Sequence, residues 1–229
     1  MSSKNGLINP ADSVLLLVDH QSGLLQVVRD QLVSDLRTNV SILARAATLA
    51  GVPVVATASV PEGPNGPLLT EITENAPHAV YVPRQGQINA WGVEGFRQAV
   101  KATGRGTLLI AGIITSVCVV EPALAALADG YRVYAVIDAS GTYSDVAQRI
   151  SIERLSGAGV VVVDVEAVIS ELQQTWARDD AMQWGALHAA VMPSYRTLTE
   201  SVLRARAEAT GGEGAHAEID WARQRRQLV

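Results

Sequence analysis

The chain has 229 residues, a formal net charge of −5 and a pI near 5.4, and 48% of its residues are hydrophobic against 18% charged. This composition is typical of a globular protein, and the length suits one α/β domain with a buried core. The negative charge disfavours binding to a phosphate backbone, and no basic stripe interleaved with aromatic residues is present, so nucleic acid is not expected as a partner.

The location of the protein is also constrained by composition. No apolar run approaches the roughly 18 residues that a membrane helix needs, so no membrane partner is expected. The first ten residues lack the apolar core of a secretory signal, and the single cysteine, Cys118, excludes an intramolecular disulfide. Together these features predict a soluble protein of the reducing cytoplasm.

Apolar, β-branched runs alternate along the chain with stretches of helical spacing. The predicted strands are Ser13 to Val18, Val52 to Ala58, Val80 to Val82, Thr107 to Ile110, Tyr131 to Ala139 and Val160 to Val165. The predicted helices are Leu36 to Ala50, Val93 to Thr103, Thr115 to about Gly130, Ser144 to Gly157, Glu166 to Trp176 and Arg178 to Val191, with a further amphipathic stretch to about Ala209.

This alternation predicts a three-layer αβα, Rossmann-like fold around a six-stranded, mainly parallel sheet with right-handed crossovers. We predict one domain over residues 1–200. Residues 201–229 include a Gly-rich segment and an Arg-rich end, which are typical of a frayed, partly helical tail or of an arm that holds a partner subunit.

Candidate reactive residues lie where strands end. Cys118 falls at the start of the predicted helix after the fourth strand, where the helix dipole lowers the pKa of a thiol. Asp19 directly follows the first strand, at the carboxyl edge where open α/β folds bind ligands. The plainer alternatives are a buried structural cysteine and a helix cap or turn residue.

Two loops leave the same edge. The loop from Pro61 to Pro67 is rich in Gly and Pro, and it follows the second strand closely enough to cover a pocket. The segment from Arg84 to Trp91 has no amphipathic period and combines Arg, Gln, Asn and Trp, as pocket linings do. A surface ion pair for Arg84 and core packing for Trp91 are the alternatives.

Several chemistries lack their motifs. The four histidines, His20, His78, His188 and His216, show no pair at metal-ligand spacing, so no metal site is predicted. The chain has no Walker loop, no Gly-x-Gly-x-x-Gly after the first strand and no Gly-x-Ser-x-Gly elbow. We therefore expect no nucleotide or other cofactor and no serine nucleophile.

Three pieces in this order resemble the isochorismatase-like cysteine hydrolase superfamily. They are a first strand that ends in Asp19, the basic residue Arg84 after a short third strand, and the sequence Gly-Ile-Ile-Thr-Ser-Val-Cys-Val at 112–119. Arg-x-Gly-Gln-Ile-Asn-Ala-Trp at 84–91 and Asp-Ala-Ser-Gly-Thr-Tyr at 138–143 are similar to the YcaC-type branch of uncharacterised hydrolases.

The resemblance implies roles for named residues. Cys118 corresponds to the nucleophile, Asp19 to the group that takes its proton and Arg84 to the cation that holds both. A cis peptide is implied at Ile113 and Ile114, with an oxyanion hole formed by the N–H groups of Ile114 and Cys118. We expect Gln21, Asn89, Trp91 and Thr115 to line the substrate pocket.

The implied reaction is hydrolysis of an amide-like C–N bond in a small molecule through a thioester. Most of the superfamily carries Lys where this chain has Arg84, and the Asp-x-His metal site of nicotinamidases is absent from residues 57–65. Isochorismate-type vinyl-ether hydrolysis and a non-catalytic, redox-sensing binding protein remain alternatives. Family habit and a weakly charged surface with four tryptophans predict a homo-oligomer, with a tetramer or an octamer both possible.

Overall fold

The structure, a computed structural model, describes residues 6–209, apart from the side chains at 199, 202, 203 and 206. Six parallel strands form one sheet in the order β3-β2-β1-β4-β5-β6. They are β1 Ser13–Val18, β2 Val54–Ser59, β3 Val80–Arg84, β4 Thr107–Gly112, β5 Arg132–Val136 and β6 Val161–Val163. The predicted fold class is confirmed.

Helices lie between the strands and after the last one. They are α1 Val33–Leu49, α2 Thr70–Asn75, α3 Glu94–Ala102, α4 Val120–Ala128, α5 Asp145–Ala158, α6 Val165–Gln173, α7 Ala181–Val191 and α8 Pro193–Ala209. The sequence did not predict the short helix α2. A π-helical turn, Thr115–Val119, precedes α4, so the predicted helix from Thr115 is two elements.

Strand β5 ends three residues before its predicted end at Ala139. The chain turns after Val136, because the Ser140 N–H donates to the Ile137 carbonyl at 3.0 Å. Apolar character continues into this turn, so hydrophobicity alone does not show where the strand stops. The turn is part of a loop at residues 137–142 that contacts the turn Thr115–Val119.

The centre of the sheet is the core of the protein. Every residue of β1 and of β4 is buried, as expected for parallel strands covered on both faces. Alternate β1 residues, Val14, Leu16 and Val18, join one hydrophobic cluster with Phe96 of α3 and Ala123 of α4. Packing of this kind fixes the height of each strand end relative to its neighbours.

Register places the ends of three strands together. Val18 pairs with Thr57 of β2 and with Gly112 of β4, and Ser59 pairs with Arg84 of β3. Asp19, Arg84 and the segment after Gly112 therefore leave the sheet at one carboxyl edge. Among the described residues no helix combines the length and the apolar character needed to cross a bilayer.

The chain divides into two compact units, Met1–Leu187 and His188–Val229. The first contains the whole sheet, and the described part of the second contains the end of α7 and α8. The predicted division at residue 200 stays a prediction. Most of the predicted tail, from residue 210 onward, lies outside the described residues.

Candidate active site

The carboxyl edge of the sheet carries a buried ion pair between Asp19 and Arg84. The Arg84 Nη2 group donates to both carboxylate oxygens of Asp19, and the two side chains are 0% and 2% exposed for Arg84 and Asp19. An ion pair removed from water in this way is weakly screened by salt. The charge of each partner is therefore compensated mainly by the other.

Arg84 is hydrogen-bonded around its whole guanidinium. Its Nε donates to the Thr57 hydroxyl at 3.1 Å, and its Nη1 donates to the carbonyls of Gln87 and Ile88, the latter at 3.2 Å. With the two contacts to Asp19, five acceptors face the five N–H bonds that a guanidinium has. Arg84 thus ties β2, the loop at 85–89 and Asp19 together, which a lysine with three donors cannot do.

Backbone geometry at this edge is unusual at two non-glycine residues. Asp19 has φ 56° and Val60, which follows β2, has φ 46°. Aspartate tolerates the left-handed region, whereas a β-branched valine there is uncommon. The Val60 N–H donates to the Arg84 carbonyl at 2.9 Å, so both residues lie beside Arg84, and such outliers cluster at functional sites.

Cys118 lies in the π-helical turn Thr115–Val119, and it is 8% exposed. Its pKa is raised well above the ordinary thiol value, first by burial and then by the charge of Asp19 and a hydrogen bond to that carboxylate. A hydrogen bond from the backbone at Ile114 and the charge of Arg84 oppose the rise. The structure therefore brings the predicted acid, cation and thiol together.

The expectation of a lowered thiol pKa is wrong. That prediction relied on the positive end of the helix dipole, which contributes at most about 2 kcal/mol even to a partly buried group. Burial disfavours the thiolate, and an adjacent carboxylate disfavours it further, and these two effects outweigh the dipole here. The resting sulfur is consequently a protonated thiol at neutral pH.

The peptide bond between Ile113 and Ile114 is cis, as the resemblance implied. The Cys118 N–H, however, donates to the Ile114 carbonyl at 2.7 Å. This N–H is therefore shared with a backbone carbonyl, and its predicted role in the oxyanion hole stays a prediction. The hydrogen bond arises because Ile114 and Cys118 are four residues apart, the spacing of a helical hydrogen bond.

The residues predicted to line the pocket have different positions. Gln21 is fully buried and its amide donates to the carbonyls of Ser59 and Gly66, at 3.1 and 2.5 Å. Both of its N–H donors thus hold the loop after β2 to the sheet. Trp91 packs in the core beside Phe96 and Tyr131, and its indole N–H donates to Asp129 at 2.8 Å.

Polar and aromatic side chains also hold loops and fill the core, and the predicted substrate contacts of Gln21 and Trp91 stay predictions. The Asn89 side chain accepts from the Trp91 N–H at 2.9 Å and caps the turn Ala90–Gly92. Thr115 is buried in the same turn as Cys118, and its hydroxyl has no hydrogen-bond partner. Of the four residues predicted to line the pocket, Thr115 is the one in the same turn as Cys118.

The sequence analysis did not predict which residues hold the turn Thr115–Val119 in place. The Ser140 hydroxyl accepts from the Gly112 N–H at 3.2 Å, and the Gly141 carbonyl accepts from the Thr115 N–H at 3.0 Å. His20 is fully buried, its Nε2 lies 2.9 Å from the Ala139 carbonyl, and burial lowers its pKa to about 4. The signal that could have found this loop is a run of small polar residues directly after a predicted strand.

The described part of the chain holds no group of three or more His, Cys, Asp or Glu side chains suited to a metal ion. The arrangement at the edge places a buried thiol beside a carboxylate that is paired with a buried arginine. A parallel α/β fold with these groups at its carboxyl edge defines the class as a hydrolase-type enzyme with a candidate thiol nucleophile.

Comparison with known proteins makes the assignment specific. Residues 13–167 match the isochorismatase domain, and the chain belongs to the isochorismatase family of hydrolases. The probable hydrolase YcaC of Escherichia coli is 42% identical over 190 residues, which cover 83% of this chain and 91% of that protein. The resemblance identified from the sequence is therefore confirmed.

Two solved structures are similar over nearly their whole length. YcaC from Pseudomonas aeruginosa, determined with hexane-2,5-diol and covalent acrylamide, has a TM-score of 0.83 and 41% identity and covers 88% of this chain and 99% of its own. YcaC from Escherichia coli, an octameric hydrolase of unknown specificity, has a TM-score of 0.82 and 41% identity, covering 86% and 96%.

Proposed function

We propose that the protein is a cysteine-dependent hydrolase of an amide-like C–N bond in a small molecule, with Cys118 as nucleophile. The observation that carries this proposal is the contact between the Cys118 thiol and the Asp19 carboxylate. A thiol with a raised pKa is a poor nucleophile unless a base removes its proton during attack. Asp19 is that base, already in hydrogen-bonding contact with the sulfur.

The reaction takes place in two steps. First, the thiol proton moves to Asp19 as sulfur attacks the carbonyl carbon, and the C–N bond then breaks as Asp19 returns the proton to the leaving nitrogen. Second, water loses a proton to Asp19 and attacks the thioester, and the proton passes to sulfur as the C–S bond breaks. The products are a carboxylic acid and an amine, and the enzyme regains its thiol.

Arg84 acts through charge and position. Arginine does not release its proton in proteins, so it takes no part in proton transfer. Its hydrogen bonds to both carboxylate oxygens fix the orientation of the Asp19 side chain. We propose that this is why the cation can be arginine where most of the superfamily has lysine.

We assign the developing oxyanion to the Ile114 N–H, with the Cys118 N–H as a shared second donor. A donor aimed at an oxyanion contributes about 2.7 to 4 kcal/mol at the transition state. Sharing with the Ile114 carbonyl weakens the second donor, so Ile114 carries the larger part.

The high thiol pKa also bears on the redox-sensing alternative. Oxidation requires thiolate character and exposure, and Cys118 is buried and protonated. Vinyl-ether hydrolysis of the isochorismate type needs no thiol. A contact between thiol and base therefore supports the amide reaction over both alternatives.

A substrate panel tests the proposal. Primary amides, N-carbamoyl compounds and hydroxamates are incubated with wild type and with Cys118→Ala, and turnover and intact mass are measured. We expect an acyl adduct on the wild type with at least one compound, and no adduct or turnover with the variant. Because Cys118 is the only cysteine, an adduct is easily assigned. Equal turnover by Cys118→Ala would reject the mechanism.

We further propose that the protein acts as a homo-oligomer in the cytoplasm. The similar Escherichia coli YcaC structure is an octamer, which supports an octamer over a tetramer here. Light scattering coupled to size-exclusion chromatography measures the mass directly. An octamer of 24.2 kDa chains and a monomer are readily separated by this measurement.

A further inference from the structure

The charges of Asp19 and Arg84 act on the Cys118 thiol in opposite directions. Asp19 raises the pKa of the thiol, Arg84 lowers it by less, and the two residues form one buried ion pair. Asp19 is in hydrogen-bonding contact with the sulfur and Arg84 lies behind it. A substrate bound at the sulfur therefore lies beside the Asp19 carboxylate, whose charge Arg84 compensates.

Arg84 has no donor left for a substrate. Its five N–H bonds face Thr57, the carbonyls of Gln87 and Ile88, and the two oxygens of Asp19. Recognition of a carboxylate normally uses a bidentate arginine or a free ammonium group. Arg84 offers an anion neither a free hydrogen-bond donor nor an uncompensated charge.

Two other titratable groups that the charge of Asp19 influences, His20 and Tyr81, add no positive charge. Burial keeps His20 neutral at pH 7, since its pKa is lowered to about 4. Tyr81 of β3 has a raised pKa, because of burial first and then because of the negative charges of Glu62 and Asp19. Glu62 is exposed on the loop after β2, and its negative charge acts on Tyr81 together with that of Asp19.

We propose that the site takes electrically neutral carboxamide-type substrates and rejects those that carry a carboxylate. This inference rests on the proposed function, since it assumes that the substrate reacts at Cys118. An anionic substrate would bring a second negative charge beside Asp19 in a desolvated site, without a donor to compensate it. A neutral amide meets no such repulsion.

Alkylation of the single cysteine tests the charge preference without knowledge of the substrate. Iodoacetamide is neutral and iodoacetate is anionic, and each forms an S–C bond with release of iodide. The ratio of their rate constants is measured on the native protein by intact mass and divided by the same ratio for glutathione at equal pH and salt. We expect the normalised ratio to favour iodoacetamide at least tenfold.

Two variants test whether the charge of Glu62 contributes to the preference for iodoacetamide. Glu62→Gln should lower the preference about two- to threefold, because an exposed charge is partly screened. Glu153→Gln, a matched change at an exposed residue of α5, should leave it unchanged. A normalised ratio near one, or a preference for iodoacetate, would overturn the inference.

Failure of this inference and failure of the proposed function are distinguishable. Selective labelling together with no turnover of any amide would reject the hydrolase mechanism and keep the charge preference. Turnover of a carboxylate-bearing amide as fast as that of its neutral analogue would reject the preference and keep the mechanism. Absence of labelling by both reagents would reject both, because the sulfur would then be inaccessible.

Discussion

Two Asp–Arg ion pairs flank the same strand and differ in almost everything except their chemistry. Asp12 immediately precedes β1 and pairs with Arg132 at 3.1 Å, with side chains 29% and 34% exposed. Asp19 immediately follows β1 and pairs with Arg84, with side chains 2% and 0% exposed. One pair lies at the amino edge of the sheet and the other at the carboxyl edge.

The comparison shows that burial, more than residue type, decides what an ion pair does. Asp12 is also held by the Gly106 N–H and the Thr107 hydroxyl, both at 3.0 Å, and these bonds tie the starts of β1 and β4. Solvent screens this pair, so its contribution is structural and modest. The Asp19 pair is unscreened and touches a thiol, so it can influence a reaction.

The largest expected difference is in activity. Asp19→Asn should lower turnover by about 10²- to 10⁴-fold, the range of general acid–base catalysis, because an amide cannot take the thiol proton. Asparagine also tolerates φ 56°. Asp12→Asn should stay within about twofold of wild type. Steady-state kinetics measures both, with circular dichroism as the check on folding, and an undiminished rate in Asp19→Asn would remove Asp19 from the mechanism.

The next difference is in stability. Arg84→Lys replaces five donors by three and leaves buried acceptors unpaired, at about 1 to 3 kcal/mol for each. Two acceptors lose their donor, so we expect a loss of about 2 to 6 kcal/mol in the free energy of unfolding. Arg132→Lys at the amino edge should cost less than about 1 kcal/mol, as exposed pairs do. Urea unfolding measures both changes, and equal losses would show that burial does not separate the two pairs.

Two glycines, Gly141 at the carboxyl edge of the sheet and Gly106 at its amino edge, should also differ in how well they tolerate a side chain. A Cβ on Gly141, in the loop that contacts Thr115, would lie 2.9 Å from side-chain atoms of Leu36 and Val28. A Cβ on Gly106 would lie 3.3 Å from an Asp12 oxygen, which can move aside. We expect Gly141→Ala to cost about 1 to 3 kcal/mol by overpacking. Gly106→Ala should cost less than half as much by thermal denaturation.

A difference of similar size is expected in the pH dependence of stability. His20, at the carboxyl edge, has a pKa lowered from 6.5 to about 4. As the pH falls, the unfolded state therefore binds a proton at His20 before the folded state does. The contribution of His20 to stability is present above pH 6.5 and is lost as the pH falls toward 4, by about 3 kcal/mol. Hydrogen bonds lower the pKa of Asp12 against the effect of burial, so its contribution is lost only on acidification below 3.8.

Asp138 opposes His20. Burial raises its pKa to about 6, so the protonated form is favoured in the fold and stability is lost as the pH rises from 3.8 through 6. Asp138→Asn keeps the oxygen that accepts from the Val165 N–H at 2.8 Å but removes the titration. Urea unfolding between pH 7 and 4 should therefore show a steeper acid loss in this variant than in wild type, and parallel curves would contradict the raised pKa of Asp138.

Much of the fold was predictable because strands covered on both faces have a distinctive composition. The runs from Ser13 to Val18 and from Thr107 to Ile110 are almost wholly apolar, and both are central strands. The ends of β5 and the helix α2 were not predicted, because local hydrogen bonds rather than hydropathy decide them. The same reasoning placed Asp19 and Cys118 at strand ends and so at one edge.

What the site does electrostatically was not predictable from position along the chain. Gln21 and Trp91 carry the residue types of a pocket, yet one holds a loop and the other fills the core. The thiol pKa rises although the cysteine precedes a helix, since burial and Asp19 outweigh the dipole. Each of these outcomes depends on neighbours that are distant in sequence.

The amino-acid sequence by itself determined the parallel α/β architecture and the presence of an acid, a cation and a thiol at strand ends. Hydrophobic periodicity is a local property, and the order of strands and helices follows from it. Only the tertiary structure decided that Arg84 directs all its donors to protein acceptors, that Asp19 touches the sulfur and that Asp19 compensates the charge of Arg84. Desolvation and charge pairing act through space, and they are set only when the sheet brings its strand ends together.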